Sequence, residues 1–335
     1  MTIRVGVIGA GGIGTDHARK LATGISGATV TGVTDVDRSR AEHLAEAIEG
    51  ATIFADGFDL IGSDDVDAVL IASIGETHAA FTLACIAAGK PVLCEKPLAP
   101  TTPECVEILE AEVAHGKRLV MVGFMRRFDP GYRAVRAARL DGRIGAPLML
   151  HNIHRNPVVP DSFTSFMTIT DAIIHEFDVT RWLLDEEITS IQVIPPARSP
   201  KAAAHLQDPQ FAAMQTESGV LSTVSFFANC TYGYDVRCEL TGSEGVASLI
   251  NPGTSSTFLG EADATPIPSS WKVRFGATYH AEIQEWISGL LRGETIGPSA
   301  WDGYAATRVA EAGVEAVRRG ERVAVEYIAK PALYA

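Results

Sequence analysis

The chain reads as an α/β protein in two parts: a doubly wound parallel sheet first, then a second domain in which strands follow one another. Three observations predict this. A glycine-rich turn, Gly9-Ala10-Gly11-Gly12-Ile13-Gly14, joins an opening strand to a helix. Apolar strands and helices then alternate as far as Gly123. Beyond about residue 147 the alternation lapses, and short strands are separated by turn residues.

Ile3 to Ile8 reads as a buried strand, and a helix follows through about Leu21. The turn between them fits G-x-G-x-x-G in the context that gives it meaning, after a strand and opening a helix. Gly9 permits the tight turn, Gly11 lets backbone approach a pyrophosphate, and Gly14 allows close helix–strand packing. Gly12 and Ile13 lie at the helix N-terminus, which faces an anion. A glycine-rich turn with no ligand is the alternative.

Ala28 to Thr34 reads as the second strand and ends at Asp35, 21 positions after Gly14. A Rossmann fold places its ribose-binding acid there, where a carboxylate accepts from the 2′-OH of NAD and repels the 2′-phosphate of NADP. Arg38 argues the other way and Asp37 restores negative charge, so NAD is expected. Asp35 could instead cap a helix starting near Ser39. Val66 to Ala72 is a strand, Thr77 to Ala88 a helix ending at Gly89, Pro91 to Cys94 a strand, Pro103 to His115 a helix, and Arg118 to Gly123 the last strand of the run. Glu95-Lys96-Pro97 sits at the carboxyl end of a strand, where open α/β sheets bind ligands. Lys96 is therefore aimed at a cofactor and substrate crevice, unless it is simply a surface lysine in a loop.

In the second part, Pro147 to His151, Ile188 to Ile194, Phe211 to Thr216, Val220 to Phe227, Asp235 to Thr241 and Val246 to Leu249 read as strands. Glu217-Ser218-Gly219 and Gly242-Ser243-Glu244-Gly245 are turns between them. Leu221, Thr223 and Ser225 alternate with Ser222, Val224 and Phe226, so neither face is cleanly polar. The sheet is covered on both sides within one chain or packs against another subunit. Helices follow at about Ala277 to Arg292 and Ala300 to Arg319, and residues 253–270 read as a surface loop.

The stretch Asp171 to Trp182 has helical spacing. Ile173, Phe177 and Leu184 form an apolar stripe, while Asp171, His175, Asp178 and Trp182 fall on one line nearly opposite. A carboxylate one turn from an imidazole fixes its tautomer and stabilises the imidazolium, which suits proton transfer. An ordinary amphipathic helix with a solvated polar face would show the same spacing.

Composition bounds these readings. The 335 residues suffice for two domains, and 46% hydrophobic with 21% charged is ordinary for a globular chain. A net charge of −13, from 28 basic and 41 acidic side chains, argues against nucleic acid and anionic membrane as partners. Cys85, Cys94, Cys105, Cys230 and Cys238 are scattered, odd in number and lack a C-x-x-C pair, so they read as buried thiols in a reducing compartment rather than disulfides or a metal site. With a strand starting at Ile3 and no apolar run long enough to span a bilayer, a cytoplasmic protein is expected.

Gly9-x-Gly11-x-x-Gly14, Glu95-Lys96-Pro97 and the Asp171-x-x-x-His175 spacing together resemble the glucose–fructose oxidoreductase and inositol dehydrogenase (Gfo/Idh/MocA) family. Gly123-Phe124-Met125-Arg126-Arg127-Phe128-Asp129, His154-Arg155-Asn156-Pro157, Cys230-Thr231-Tyr232-Gly233-Tyr234-Asp235 and Gly297-Pro298-Ser299-Ala300-Trp301-Asp302-Gly303-Tyr304 are similar to its bacterial inositol 2-dehydrogenases. The resemblance spans almost the whole chain. It implies an N-terminal NAD-binding Rossmann domain, taken as residues 1–122. A substrate-binding and oligomerisation domain, residues 123–335, would follow, built on a large, mostly antiparallel sheet and forming a homotetramer. Lys96, Asp171 and His175 would be the catalytic trio, with Glu95 and Lys96 near the cofactor and no metal required. Met125, Arg126, His154, Asn156, Tyr232 and Tyr234 would lie near a polyol. The implied reaction is NAD-dependent oxidation of myo-inositol to its 2-keto form, with His175 taking the hydroxyl proton and Lys96 holding the oxygen. Ala172 departs from the pattern, which implies a hydroxyl-bearing residue there. The alternatives are another inositol or a hexopyranose as substrate, or a non-catalytic NAD-binding sensor, which would have no need of the whole trio.

Overall fold

The computed structural model describes residues 2–249, 257–259 and 262–335. It falls into two compact units. The first comprises residues 1–125, 278–307 and 327–335; the second comprises residues 126–277 and 308–326.

The first unit opens with β1 (Ile3–Ile8), α1 (Gly12–Thr23), β2 (Ala28–Thr34), α2 (Arg38–Glu46), β3 (Thr52–Ile53) and α3 (Gly57–Gly62). It continues with β4 (Ala68–Ile71), α4 (His78–Ala87), β5 (Val92–Glu95), α5 (Thr102–His115) and β6 (Val120–Gly123). The six strands lie in the order β3-β2-β1-β4-β5-β6, and every pairing is parallel. The order in which successive strands are added reverses between β1 and β4, the switch point beyond whose carboxyl ends ligands bind. Val5, Val7, Val69, Leu70, Leu93 and Val120 are fully buried, which is why apolar residues dominate these strands. The helices start and stop on local chemistry. Thr101 and Glu104 form a capping box ahead of α5, and Gly116 ends it at φ +80°.

The second unit begins with α6 (Pro130–Leu140), whose first N–H groups donate to the Asp129 carboxylate. Then come β7 (Pro147–Arg155), α7 (Ile174–Leu184), β8 (Ile188–Ile194), β9 (Gln210–Thr216), β10 (Leu221–Phe227), β11 (Asp235–Gly242), β12 (Val246–Leu249), β13 (Thr257–Leu259) and β14 (Ala262–Ala264). Two long helices, α8 (Trp271–Leu291) and α9 (Ala300–Arg319), and a short β15 (Val323–Ala324) complete the chain's main elements. A seven-stranded sheet runs β12-β11-β7-β10-β9-β8-β15; β7 and β10 pair parallel and all other pairs are antiparallel. Gly219, at φ +91°, makes the turn from β9 to β10. The 253–270 stretch read as a loop falls partly on residues 250–256 and 260–261, outside the described residues.

The units do not follow the single cut at 122/123 that the resemblance implies. Residues 278–307 and 327–335 belong with the first unit. The second half of α8 explains part of this: Ile283, Trp286 and Ile287 are buried, and Gln284 exchanges hydrogen bonds with Ser26 at 2.8 and 3.1 Å. Periodicity finds such a helix but does not say which layer it covers. Among the described residues no helix is long and apolar enough to cross a membrane, and all five cysteines are buried and unbridged.

Candidate active site

The glycine turn and the end of β2 enclose one cavity in the first unit. Its volume is about 690 Å³, and Gly9, Gly11, Gly12 and Ile13 line it along with Asp35 and Ser73. The glycines divide by role. Gly9 sits at φ +99°, and a Cβ there would lie 2.5 Å from the Ala72 carbonyl oxygen. One on Gly14 would lie 1.9 Å from the Gly9 carbonyl oxygen. Gly11 and Gly12 face open space, with nothing within 4 Å of a built Cβ. The backbone of α1's first turn is thus approachable, and its unpaired N–H groups suit a pyrophosphate.

Asp35 directly follows β2 and lines the same cavity. Its carboxylate accepts from the Ala10 N–H at 2.6 Å and the Asp37 N–H at 2.8 Å. Each oxygen keeps a lone pair for a ribose hydroxyl. The cap of α2 is Asp37, which accepts from Ser39 N–H at 3.1 Å, so Asp35 is not the capping residue. Arg38 pairs with Glu42 at 2.9 Å and Arg40 with Asp37 at 3.3 Å, so both nearby arginines already meet a carboxylate. These residues fit NAD: helix-terminal donors for a pyrophosphate and an acid for a ribose line one cavity of suitable size.

At the end of β5, Glu95 is 6% exposed and its carboxylate holds two elements together. His17 of α1 donates from Nε2 to one oxygen at 2.6 Å, and the Lys96 N–H donates to the other at 3.2 Å. Gly123 passes so close that a Cβ would lie 2.9 Å from this carboxylate. The Lys96–Pro97 peptide is cis. Met125, at the end of the first unit's N-terminal segment, is 2% exposed.

In the second unit, Asp171 and His175 do not share one regular helix. Asp171 lies in a π-helical turn, Thr168–Ala172, and α7 starts only after the break at Ile173. Nor does α7 show a solvated face opposite an apolar one: His175 is 8% exposed, Asp178 1% and Phe177 0%. The reason is that its polar residues are partnered inside. Asp178 accepts from Arg127 at 3.0 and 2.5 Å, and Thr180 meets Ser222 of β10 at 2.9 Å. Spacing alone cannot distinguish a wetted carboxylate from a buried, paired one.

Glu176 is the residue that sequence reasoning passed over. It is fully buried and pairs with Arg126 and with His154 of β7, whose Nδ1 lies 3.1 and 3.2 Å from its two oxygens. The Arg126 guanidinium also reaches that Nδ1 at 3.2 Å. One nitrogen faces a permanent donor and an acceptor, so it serves one of them at a time. Burial alone would raise the Glu176 pKa, but Arg126 and His154 outweigh it and hold the carboxyl at about 2. Burial lowers the His154 pKa, against the pull of Glu176. Tyr234 packs edge-on against His154, ring centres 6.0 Å apart, and burial pushes its phenol up to about 12. The structure therefore gathers Arg126, His154 and Tyr234 into one cluster. Tyr232 stands apart, 52% exposed, donating to Asp235 at 2.9 Å; Asn156 is partly buried just beyond β7. Glu176 lies between His175 and Asp178 in a stretch rich in polar residues, so nothing in its sequence neighbourhood singles it out.

Comparison with known proteins agrees with this anatomy. Residues 3–124 match the oxidoreductase family model with the NAD-binding Rossmann fold, and residues 138–325 match the model of its C-terminal alpha/beta domain. Inositol 2-dehydrogenase 3 of Saccharopolyspora erythraea is 49% identical over 334 residues, covering 100% of this chain and 98% of the relative. Inositol 2-dehydrogenase of Ralstonia nicotianae is 49% identical over 336 residues, covering 100% and 99%. Among solved structures, myo-inositol dehydrogenase from Lactobacillus casei in complex with NAD(H) and myo-inositol superposes with a TM-score of 0.97 at 36% identity, over 100% of both chains. The scyllo-inositol dehydrogenase of the same organism, with NAD(H) and scyllo-inositol bound, gives 0.90 at 26% identity over 97% and 99%. With both domain models matched and near-half identity along its whole length to these relatives, the chain belongs to the Gfo/Idh/MocA oxidoreductase family.

Proposed function

We propose that the chain is an NAD-dependent inositol 2-dehydrogenase that oxidises myo-inositol to 2-keto-myo-inositol. The observation that carries this reading is full-length identity of 49% to inositol 2-dehydrogenases, on a scaffold with an Asp35-terminated dinucleotide cavity. In this reading the α1 N-terminus and Asp35 hold NAD, which when bound supplies the hydride acceptor. His175 takes the proton of the substrate hydroxyl. Asp171 stabilises the imidazolium that results. Lys96 donates to the substrate oxygen and holds it as the carbonyl forms. Loss of a proton to His175 and of a hydride to the cofactor together account for the two electrons and two hydrogens removed.

Met125, Arg126, His154, Asn156, Tyr232 and Tyr234 are assigned to recognition of the remaining hydroxyls. The rigid Glu176 cluster supports this assignment for three of them, since a preorganised polar group loses little freedom on binding. Ala172 stands next to Asp171 where the resemblance implies a hydroxyl-bearing residue. The first unit is assigned to the cofactor and the second to substrate and self-association. The protein is read as a cytoplasmic homotetramer, in keeping with unbridged cysteines and with Met149, Leu148 and Val246 on the second unit's sheet, 43%, 55% and 53% exposed.

Reduction of NAD in the presence of myo-inositol, scyllo-inositol, D-chiro-inositol and glucose, followed at the nicotinamide absorbance, tests the reading. The largest kcat/KM is expected for myo-inositol. Absence of turnover with every polyol would leave the sensor alternative standing.

A further inference from the structure

One buried side chain in the first unit joins the loops that follow β4 and β5. His78, the first residue of α4, is 1% exposed. Its Nδ1 lies 2.7 Å from the Pro97 carbonyl oxygen, and its Nε2 lies 3.2 Å from the Ser73 carbonyl oxygen. A carbonyl only accepts, so both contacts are hydrogen bonds when both ring nitrogens carry protons. The surroundings favour that state. Burial alone would lower the His78 pKa, and the Pro97 and Ser73 carbonyls work the other way and raise it. Cys94, itself fully buried, is the titratable group facing this ring, and its thiol points to the Glu95 and Leu98 carbonyls at 3.4 and 3.9 Å.

The two carbonyls belong to segments with separate duties. Ser73 lines the dinucleotide cavity, and Pro97 follows Lys96 directly. On its other side, the Lys96 N–H is held by Glu95, which is held in turn by His17. The main chain at Lys96 is therefore gripped from both sides, and His78 is the grip that ties it to the cofactor cavity wall.

We propose that His78 is a positioning residue for the dehydrogenase reaction: it fixes the Lys96–Pro97 turn against the Ser73 wall of the dinucleotide cavity, and so sets where the lysine side chain meets the substrate oxygen. The proposal rests on Lys96 acting on substrate. It predicts a defect in the chemical step that disappears when Lys96 is already absent.

The experiment compares the full-length parent, His78→Leu, His78→Gln, Lys96→Met and the double variant His78→Leu/Lys96→Met. Myo-inositol oxidation is measured at saturating NAD, with NADH affinity by fluorescence titration and folding by circular dichroism. His78→Leu should lower kcat by about 10²-fold, the scale expected when a catalytic group is misplaced by about 1 Å. NADH affinity should stay within about threefold of the parent. His78→Gln should recover most of the rate, because its amide nitrogen carries two N–H groups for the two carbonyls. In the Lys96→Met background, His78→Leu should change the residual rate by less than about threefold, as coupled residues do. Equal losses in both backgrounds, or a near-parent kcat in His78→Leu, would overturn the proposal. If His78→Leu does not fold, His78→Ala, which likewise removes both donors, takes its place in the same comparison. Parent-like turnover of Lys96→Met would refute the role of Lys96 as well, whereas an inactive Lys96→Met beside an unimpaired His78→Leu refutes only the positioning role.

Discussion

Arg126→Met should destabilise the second unit far more than a surface substitution would. The substitution keeps an apolar stem but removes the guanidinium from a cluster in which Glu176 is 0% exposed and His154 3%. Breaking a buried pair by removing one partner costs about 3–5 kcal/mol, because the other charge stays buried. The carboxyl itself suggests a similar size. Held at about 2 rather than at its ordinary value, it contributes about 3 kcal/mol at neutral pH. A loss of that size lowers the melting temperature by roughly 6–20 °C for a unit of this length. The pH dependence gives an independent sign. In the parent, the depressed Glu176 pKa contributes stability above the ordinary carboxylate value, and that contribution is lost as the pH falls toward about 2. Without Arg126, burial is left to raise the same pKa, with only His154 opposing it. The penalty then applies at neutral pH and is relieved on acidification, so the gap in melting temperature between parent and variant should narrow from pH 7 to pH 5. Adding Glu176→Gln to Arg126→Met should recover part of the loss. Calorimetry on the three proteins at two pH values decides. A loss under about 1 kcal/mol, or a double variant no more stable than Arg126→Met, would refute the reasoning.

Four further outcomes are expected. Asp35→Ser should shift the kcat/KM ratio for NAD over NADP toward NADP by roughly 10- to 100-fold, the worth of one lost hydrogen bond to a charged group; an unchanged ratio removes Asp35 from the cofactor assignment. Lys96→Met should bind NADH almost normally and lose most of its kcat, whereas turnover within a few-fold of the parent removes Lys96 from catalysis. If His175 is the base it must be neutral for oxidation, so kcat/KM should fall on the acid side; His175→Ala should abolish that limb and cost about 10²- to 10⁴-fold in rate. Sedimentation at micromolar concentration should show a tetramer, and a monomer would contradict the self-association assigned to the second unit's sheet.

The first unit was legible because its signals are local. Gly9, Gly11 and Gly14 act within one turn, and a short apolar run such as Val92-Leu93-Cys94, preceded by Gly89 and Pro91, fits a strand buried on both faces. The short elements β3, α3 and β15 are too brief for periodicity to mark, and α6 is signalled only by Asp129 and Pro130 as cap and first-turn residue. The site was less legible in proportion to the sequence separation of its contacts. His17 meets Glu95 across 78 residues, and Arg126 meets Glu176 across 50. Helical periodicity predicted one amphipathic helix from Asp171 to Trp182, whereas the chain forms a π-turn, a break and a helix buried on all sides. Periodicity reports which residues share a face, but buried arginines decide whether a carboxylate on that face meets water.

The central claim is direct transfer of hydride from inositol carbon 2 to NAD. Myo-inositol carrying deuterium at that carbon, turned over in ordinary water, tests it, with the reduced cofactor analysed by proton NMR. Deuterium is expected at C4 of the nicotinamide, in one stoichiometric equivalent and on one face, together with a 2-keto product. Unlabelled NADH formed from that substrate, or a ketone at another carbon, would contradict it.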